Sequence, residues 1–472
     1  MEPIAITGIG CKLPGGIRTT TEFWSKLLAG ADLITDTPPD RWNIASFYHP
    51  NRGVPGHTYA KWGGYVTEAA EFDAAFFGLT PREANRIDPQ QRWILETAWD
   101  AIQDAGYTTN QLSGSETGVY VGISSCDYED IQKRGRYDAD MHTSTGQALS
   151  IASNRVSYCF DLRGPSLSVD TACSSALVAL DLACRAIWRG EIPQALVGGV
   201  NAILQADVSV AFSKAGMLSP TGRCRAFDAA ADGFVRAEGA GMVMLKPLSQ
   251  ALADGDRIYA AIRATQTNQD GRTGGLTVPS AEQQAAMLEA AYRMAEVSPD
   301  RLGFMEAHGT GTAGGDPIEL SAIGRVLGSK RAKSDPLVVG SVKSNLGHLE
   351  PASGIAGLIK LALSLHHGTT PPNVHFSKPN PRIPFDEYRL RVPTASEEMK
   401  SHDGLRFGGV NSFGFGGTNA HAVLSSAPAA VPQSGSKAST PTIWTVSARS
   451  SNALDESVQA YAALLEGVSA EA

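Results

Sequence analysis

Residues 164–179, GPSLSVDTACSSALVA, contain two different hydrophobic patterns in succession. Ser166 to Val169 alternate between polar and apolar residues, which predicts a β-strand. From Leu177 onward, apolar residues recur at helical spacing, and Gly190 provides a helix stop. The intervening DTACSS therefore predicts a strand-to-helix turn with Cys173 just before the amino terminus of the helix.

Cys173 has a chemical and a structural interpretation. Free backbone N–H groups and the positive end of a helix dipole favour a thiolate and can lower a cysteine pKa from about 8.5 into roughly the 3.5–7.5 range. The same N–H groups can hold an oxyanion. The alternative is a small buried thiol that only packs. The motifs downstream favour the nucleophile.

Two later strands each deliver a histidine to a glycine-rich loop. FMEAHGTGTAGGDPIE places His308 after a strand from Leu302 to Ala307. VVGSVKSNLGHLEPASG places Lys343 and His348 after another strand. Because catalytic groups commonly lie in loops at strand ends, we expect both histidines within reach of the cysteine sulfur.

The turn after the first histidine contains polar residues with two interpretations each. DPIE places Asp316, a proline and Glu319 in the order of a helix capping box, and we favour capping over acid–base chemistry for both carboxylates. Thr310 and Thr312 can stabilise the turn, or their hydroxyls can bond a substrate amide.

A third glycine-rich segment, NSFGFGGTNAHAV, contains a turn from Gly414 to Gly417 between two strand-like runs. Glycine permits positive φ and close approach of the backbone to a ligand. Since no Lys-Ser/Thr pair follows, the turn gives only weak support for a phosphate cradle. A hairpin turn without a ligand is the alternative.

Composition excludes several classes of function. The 472 residues have a formal net charge of -8, which argues against a nucleic-acid or anionic-membrane partner. Six scattered cysteines without a C-x-x-C pair predict no zinc or redox site, and the cytoplasm is the expected compartment. The apolar runs are shorter than the roughly 18 residues of a membrane span, and the amino terminus predicts a strand rather than a secretory signal.

Alternating strand and helix patterns predict one layered α/β body over residues 1–425. Residues 427–441, APAAVPQSGSKASTP, predict a flexible connector. Beyond it, Thr442 to Ala448 predict a strand and Asn452 to Leu465 a helix. Because so short a piece cannot hold its own core, we expect the chain to end partway into another folded unit.

These segments, in this order, resemble the β-ketoacyl synthase family, and specifically the ketosynthase domains of type I polyketide synthases. FDAAFFGLTPREANRIDPQQR, GRCRAFDAAADGFVRAEG and TNQDG add to the resemblance. It implies a thiolase fold of two similar halves, about 1–255 and about 256–425, in a five-layered αβαβα sandwich that forms a homodimer. Residues 426–472 resemble a connector and the start of a ketosynthase-acyltransferase linker region.

The resemblance also implies roles for individual residues. Cys173 is the nucleophile, and His308 and His348 are the decarboxylation pair. Lys343 organises the second histidine, and the amides of Cys173 and Phe415 form an oxyanion hole, with the Phe415 ring as a gate.

The implied substrates and partners follow from the same family. Thr310 and Thr312 hold a phosphopantetheine arm, on which an acyl carrier protein delivers the substrates. The activity is a decarboxylative Claisen condensation of a cysteine-bound acyl chain with a malonyl-type extender, which gives a β-ketoacyl thioester in polyketide biosynthesis. No metal or redox cofactor is needed, and the acyltransferase and other domains of the same polypeptide are further partners.

Three alternatives stand beside this activity, and the first of them has the same fold. A non-elongating acyl-transfer or decarboxylase domain would lack a histidine or the cysteine, whereas Cys173 and His348 are both present. A catalytically silent scaffold that only docks carrier proteins would not need the nucleophile, the two histidines and the glycine-rich turn to be intact. A thiolase would have a second catalytic cysteine near its carboxyl end, and none follows Cys224.

One position departs from the family pattern. In the related single-domain bacterial synthases, a glutamate nine residues after the second histidine pairs with the lysine, whereas Gly357 occupies that place here. Lys343 therefore needs another ionic partner, and Glu319 is the candidate.

Overall fold

The computed structural model describes residues 1–133, 139–428 and 445–466. Its strands are β1 (Ile4–Lys12), β2 (Thr35–Asp36), β3 (Trp62–Gly63), β4 (Gly118–Gly122), β5 (Ser166–Val169), β6 (Ala195–Asn201), β7 (Gly239–Pro247), β8 (Ala260–Gln269), β9 (Leu302–Glu306), β10 (Leu337–Gly340), β11 (Thr369–Thr370), β12 (Leu390–Arg391), β13 (Glu397–Glu398), β14 (Phe407–Phe413) and β15 (Thr418–Ser425).

The α-helices are α1 (Thr20–Leu28), α2 (Ile44–Phe47), α3 (Pro81–Ala84), α4 (Pro89–Asp104), α5 (Thr109–Leu112), α6 (Asp127–Lys133), α7 (Met141–Gln147), α8 (Ser150–Phe160), α9 (Ser175–Trp188), α10 (Asp207–Lys214), α11 (Leu248–Asp254), α12 (Ala281–Ala295), α13 (Gly315–Ile323), α14 (Lys343–Leu346), α15 (Ser353–His367), α16 (Phe385–Tyr388) and α17 (Ser451–Glu466). Short 3₁₀ turns lie at Pro299–Arg301 and Glu350–Ala352, and a π-helical turn lies at Gly324–Gly328.

Eleven of the strands form one mixed sheet in the order β12-β10-β9-β14-β15-β8-β1-β7-β6-β4-β5. The strands β5-β4-β6-β7-β1 and β10-β9-β14-β15-β8 repeat one pairing pattern. In each set the first three strands are parallel and the remaining neighbours are antiparallel. The sets join where Ile4 to Ile6 of β1 lie opposite Ala260 to Ile262 of β8. The prediction of two similar halves is confirmed.

Helices cover both faces of each half and complete the layers. Helices α4 and α8 pack on one face of the first half, and α12 and α13 pack on the second half. Helices α9 and α15 contact each other and strands of both halves. This arrangement is the five-layered αβαβα sandwich of the thiolase fold.

The central position of α15 explains its composition. From Ser353 to Leu365 every residue of this helix is buried, including the apolar residues on all sides. A helix that is hydrophobic all round must lie inside a protein or a membrane, and here it lies between the two half-sheets. Within the described ranges, no helix has the length and apolar character required to cross a bilayer.

The carboxyl ends of corresponding parallel strands lead into the functional segments. Strand β5 leads through Cys173 into α9, whereas β10 leads through Lys343 and His348 into α15. Strand β9 leads into the loop of His308. Ligands bind outside the carboxyl ends of parallel strands in α/β sheets, so the fold gathers these loops in one region.

The segment beyond the body matches the sequence predictions only in part. The helix predicted for Asn452 to Leu465 is α17, Ser451–Glu466. Residues 445–448 form no strand, and the first part of the predicted strand, 442–444, lies outside the described residues. The connector predicted for residues 427–441 lies almost wholly outside them as well.

Candidate active site

One cavity of about 990 Å³ collects most of the predicted site residues. Its wall includes the predicted nucleophile, both histidines, both threonines of the glycine-rich turn and the predicted gate: Cys173, His308, His348, Thr310, Thr312 and Phe415. Lys343 is buried and lies outside the lining. The structure therefore brings together groups that are up to 242 positions apart, between Cys173 and Phe415 (415 minus 173).

The Cys173 turn is held in a strained backbone conformation. Ala172, immediately before the cysteine, has φ +56°, a left-handed value that alanine rarely adopts. Its N–H donates to Asp170 at 2.9 Å. The Cys173 carbonyl accepts hydrogen bonds from the hydroxyls of Ser412 at 2.7 Å and Ser353 at 3.2 Å. Contacts with β14 and α15 thus fix the cysteine, and the predicted strand-turn-helix arrangement is confirmed.

The predicted lowering of the Cys173 pKa is wrong in direction. Burial, together with the carboxylate of Glu350, raises the pKa of the Cys173 thiol to about 12. The charge of Lys343 and the backbone N–H groups of Phe415 and Cys173 act in the opposite direction but do not outweigh burial. The resting group is therefore a neutral thiol, with the two N–H groups beside the sulfur.

This pKa predicts how the thiol reacts with iodoacetamide. Because only the thiolate is alkylated, the rate at Cys173 should rise about tenfold per pH unit from pH 7 to pH 10 without reaching a plateau. The measurement is peptide mass spectrometry of the carbamidomethylated protein at a series of times and pH values. A rate that levels off below pH 8 would show an ionised resting cysteine and contradict the assignment.

Backbone hydrogen bonds to Nδ1 leave Nε2 as the hydrogen-bond donor in both histidines. The His308 Nδ1 accepts from the backbone N–H of Phe413 at 3.3 Å, and the His348 Nδ1 accepts from that of Glu350 at 2.9 Å. The ring centroids are 5.4 Å apart and nearly perpendicular. Since Nδ1 is an acceptor in both rings, each neutral imidazole carries its proton on Nε2.

The protonation state of this pair follows from its surroundings. Burial, followed by the positive charge of Lys343, lowers the pKa of both His308 and His348 well below the usual range. Both rings are therefore neutral near pH 7. Two neutral Nε2–H groups facing one cavity can donate to a single developing oxyanion.

Lys343 places a buried positive charge close to both histidines. Burial lowers its pKa, whereas Glu306 and then Glu319 raise it. The Glu319 carboxylate also accepts from the backbone N–H groups of His308 at 2.7 Å and Gly309 at 2.8 Å. Glu319 is thus a shared neighbour of Lys343 and the His308 loop rather than a dedicated ion-pair partner.

A buried ion pair next to Lys343 was not identified from the sequence. Glu306 and Lys360 lie 2.7 Å apart with their side chains 1% exposed, and Glu306 also accepts from the Val342 N–H at 2.6 Å. A Cβ at Gly357 would lie 3.3 Å from the Glu306 side chain. The glutamate from β9 therefore occupies the space beside the glycine. A signal was present, because Lys360 interrupts an apolar run from Gly354 to Leu363.

The capping interpretation of Asp316 and Glu319 is wrong. Helix α13 begins at Gly315, so Asp316 lies inside its first turn rather than at the cap. Asp316 accepts from the N–H groups of Phe227 at 2.8 Å and Gly311 at 3.1 Å, and burial raises its pKa to about 7. Both carboxylates therefore hold the backbone of the glycine-rich turn.

The two remaining predicted features have simple geometries. The hydroxyls of Thr310 and Thr312 lie 3.0 Å apart on the cavity wall, and Thr312 also accepts from the Gly315 N–H at 3.1 Å. The Gly414 to Gly417 turn is a hairpin between β14 and β15. Its Phe415 ring is 46% exposed, while the Phe415 N–H faces the cysteine sulfur.

Comparison with known families agrees with this site. Beta-ketoacyl synthase, N-terminal domain, matches residues 1–251, and Beta-ketoacyl synthase, C-terminal domain, matches residues 259–377. The Ketoacyl-synthetase C-terminal extension matches residues 379–469. The chain therefore belongs to the β-ketoacyl synthase family.

Individual relatives narrow the class. One phenolphthiocerol/phthiocerol polyketide synthase protein of Mycobacterium tuberculosis is 44% identical over 471 residues, which are 100% of this chain and 30% of that protein. Another protein of the same polyketide synthase and organism is 47% identical over 423 residues, or 90% of this chain and 22% of that protein. The chain thus spans less than a third of the length of these curated relatives.

Solved structures show the same architecture. The oxazolomycin ketosynthase domain of Streptomyces albus JA3453 has a TM-score of 0.91 and 36% identity, covering 99% of this chain and 81% of that one. The ketosynthase from module 6 of the bacillaene synthase of Bacillus subtilis 168 has a TM-score of 0.86 and 35% identity, covering 99% and 78%. The chain is a ketosynthase domain of the type I polyketide synthase class, an acyltransferase of the condensing kind.

Proposed function

We propose that Cys173 carries the growing acyl chain and that His308 and His348 drive its extension by decarboxylation of a malonyl-type thioester. The observation that carries this proposal is the pair of neutral Nε2–H donors beside a thiol that has two backbone N–H groups at its sulfur. A thiol, two imidazole N–H donors and a pair of backbone N–H groups are the groups that a Claisen condensation requires.

The first half-reaction loads the cysteine. The Cys173 sulfur attacks the carbonyl of an acyl thioester, and the N–H groups of Cys173 and Phe415 stabilise the tetrahedral oxyanion. The carrier thiol leaves with the proton that the cysteine gives up, so charge and atoms balance. The high thiol pKa means that this proton is removed only as the substrate carbonyl reacts, which protects the resting enzyme from unproductive chemistry.

The second half-reaction forms the new carbon–carbon bond. The malonyl carboxylate leaves as carbon dioxide while His308 and His348 donate to the thioester oxygen of the resulting enolate. The enolate carbon then attacks the acyl-Cys173 carbonyl, and the cysteine leaves as a thiolate that takes up one proton from water, so that one proton is consumed for each carbon dioxide released. Burial, together with the positive charge of Lys343, lowers the pKa of both histidines and keeps the two imidazoles neutral during this step.

The cavity also accommodates a substrate delivered on a long flexible arm. The Thr310 and Thr312 hydroxyls lie along its wall and can bond the amides of the phosphopantetheine arm of an acyl carrier protein. The exposed Phe415 ring lies 6.3 Å from the Phe212 ring across the same cavity. In this position the Phe415 side chain can act as a gate between the acyl chain on Cys173 and the part of the cavity through which the carrier arm enters.

A homodimer is part of the same proposal. Strand β5 forms one edge of the large sheet, where Leu167 is 46% exposed. Tyr158 of the neighbouring helix α8 is 84% exposed. An open edge with unpaired backbone groups and apolar side chains favours pairing with a second copy. Sedimentation at the mass of a single chain would contradict this expectation.

Further domains of a longer polypeptide belong to the same proposal. Because the relatives are polyketide synthase proteins of which this chain spans less than a third, we expect an acyltransferase and further domains as covalent partners. Residues 1–425 would be the condensing body, and residues 426–472 would belong to the connector. A cytoplasmic location remains the expectation from the scattered free thiols.

The decisive experiment uses intact-protein mass spectrometry after incubation with a panel of acyl thioesters. We expect one acyl group per chain at Cys173, followed by its transfer to a malonyl carrier protein as a β-ketoacyl product. Acylation without extension would indicate a transfer-only domain. Absence of acylation with every thioester, together with normal binding of carrier protein, would indicate a docking scaffold.

A further inference from the structure

A line of hydrogen-bonded side chains leads from the His308 loop into the core. Glu319 accepts from the backbone N–H groups of His308 and Gly309 at 2.7 and 2.8 Å. The Asn411 Nδ2 donates to the Glu319 carboxylate at 2.9 Å, and the His421 Nδ1 lies 2.7 Å from the Asn411 Oδ1. Glu319, Asn411 and His421 are each at most 3% exposed.

The donors and acceptors in this line have a defined direction. Because Asn411 gives an N–H to the Glu319 carboxylate, its Oδ1 is an acceptor, and the His421 Nδ1 must be the donor. Burial lowers the pKa of His421 to about 3, so the ring is neutral and holds one proton. That proton is on Nδ1, which leaves Nε2 as a bare acceptor.

The far end of the line is incomplete among the described residues. His421 Nε2 and the Tyr292 hydroxyl are both buried without a hydrogen-bond partner there, and their rings are 5.4 Å apart. A Cβ at Gly409 would lie 2.5 Å from the Tyr292 oxygen and 3.2 Å from His421 Nε2. The two atoms thus lie beside the same hollow above a glycine without bonding each other, and the hydrogen-bonded line ends at the His421 ring.

Strand β14 connects this line to the His308 ring as well as to its backbone. Asn411 and Phe413 lie two positions apart on β14, so their side chains share one face of the sheet. The Phe413 N–H donates to the His308 Nδ1 at 3.3 Å. A displacement of Asn411 would therefore move both supports of His308 together.

We propose that His421, Asn411 and Glu319 form a buried relay of positioning residues that holds His308 in place for malonyl decarboxylation. The relay rests on the proposed function, since it assigns His308 to decarboxylation. Asn411 and His421 lie outside the cavity lining, so they act through His308 rather than on the substrate.

The test compares two substitutions at one position. His421→Leu fills a similar volume without a donor, whereas His421→Asn keeps an N–H near the place of Nδ1. In His421→Leu we expect kcat for decarboxylation of a malonyl thioester to fall about 10- to 100-fold at unchanged KM, because the reacting groups are misplaced. Acyl loading of Cys173 should keep its normal rate, and His421→Asn should recover most of the lost decarboxylation.

A second measurement does not depend on catalysis. Loss of the relay should speed hydrogen exchange of the His308 and Gly309 amides in His421→Leu relative to the wild type and His421→Asn. A wild-type chain that neither loads nor decarboxylates would overturn the proposed function, and the amide exchange would still decide on the relay.

Two results would overturn the relay. One is an equal fall of acyl loading and decarboxylation in His421→Leu with a lowered melting temperature, which would show a purely structural role for the residue. The other is normal decarboxylation and normal amide exchange in a folded His421→Leu variant.

Discussion

Cys173→Ala is expected to lower condensation by at least about a thousandfold, because the covalent acyl-enzyme can no longer form. Decarboxylation of a malonyl thioester should continue, since the two histidine Nε2–H donors do not depend on the sulfur. The measurement follows carbon dioxide release and β-ketoacyl product in the same reaction. The two rates should be equal in the wild type and separate in the variant.

A matched substitution controls for general damage to the fold. Cys159 lies on α8, away from the cavity lining, so Cys159→Ala removes a thiol of the same size outside the site. It should condense at the normal rate. Condensation by Cys173→Ala at the wild-type rate would show that the acyl chain is carried elsewhere and would end the proposed mechanism.

Lys360→Met is expected to destabilise the protein by about 3–5 kcal/mol, because it leaves the Glu306 carboxylate unpaired at a site that is only 1% exposed. Burial already raises the pKa of Glu306, and the neighbouring ammonium group opposes this effect. The free energy of unfolding from urea titrations, monitored by tryptophan fluorescence, gives the measurement.

The double variant Glu306→Gln/Lys360→Met distinguishes a lost charge pair from poor packing. It removes both charges together, so it should recover much of the stability lost in Lys360→Met. Equal destabilisation in the single and double variants would show that packing of the lysine stem, rather than the unpaired carboxylate, causes the loss.

The strands and turns of the site were predictable because each has a local signal. The change from strand to helix period around Cys173, and the glycine-rich loops after the strands leading to His308 and His348, are visible within a few residues. Their meeting in one cavity depends on strand order, and that order came from resemblance to a family rather than from periodicity. The structure then placed the predicted groups in one cavity wall, with Lys343 behind it.

The failures concern quantities that depend on distant neighbours. The expected lowering of the Cys173 pKa used only the helix terminus, whereas burial by segments far along the chain dominates. DPIE has the residue order of a capping box, but the Asp316 carboxylate accepts from the N–H of Phe227 in a distant loop, and the Glu319 carboxylate accepts from the N–H of His308 in the preceding turn. The Glu306–Lys360 ion pair joins strand β9 to helix α15, and no local sequence pattern predicts that these two elements are in contact.

The three-residue seam between β1 and β8 has a consequence for engineering such enzymes. The matches to the N-terminal and C-terminal β-ketoacyl synthase domains meet between residues 251 and 259, close to this seam. Sequence comparison alone would therefore suggest this position as a crossover point for chimeras. A fragment that ends there would contain only one of the two helices, α9 and α15, that form the buried central layer. It would also expose an unpaired edge strand, which favours aggregation. Hybrid ketosynthases should therefore exchange the whole two-half body as one piece, with crossover points placed outside it.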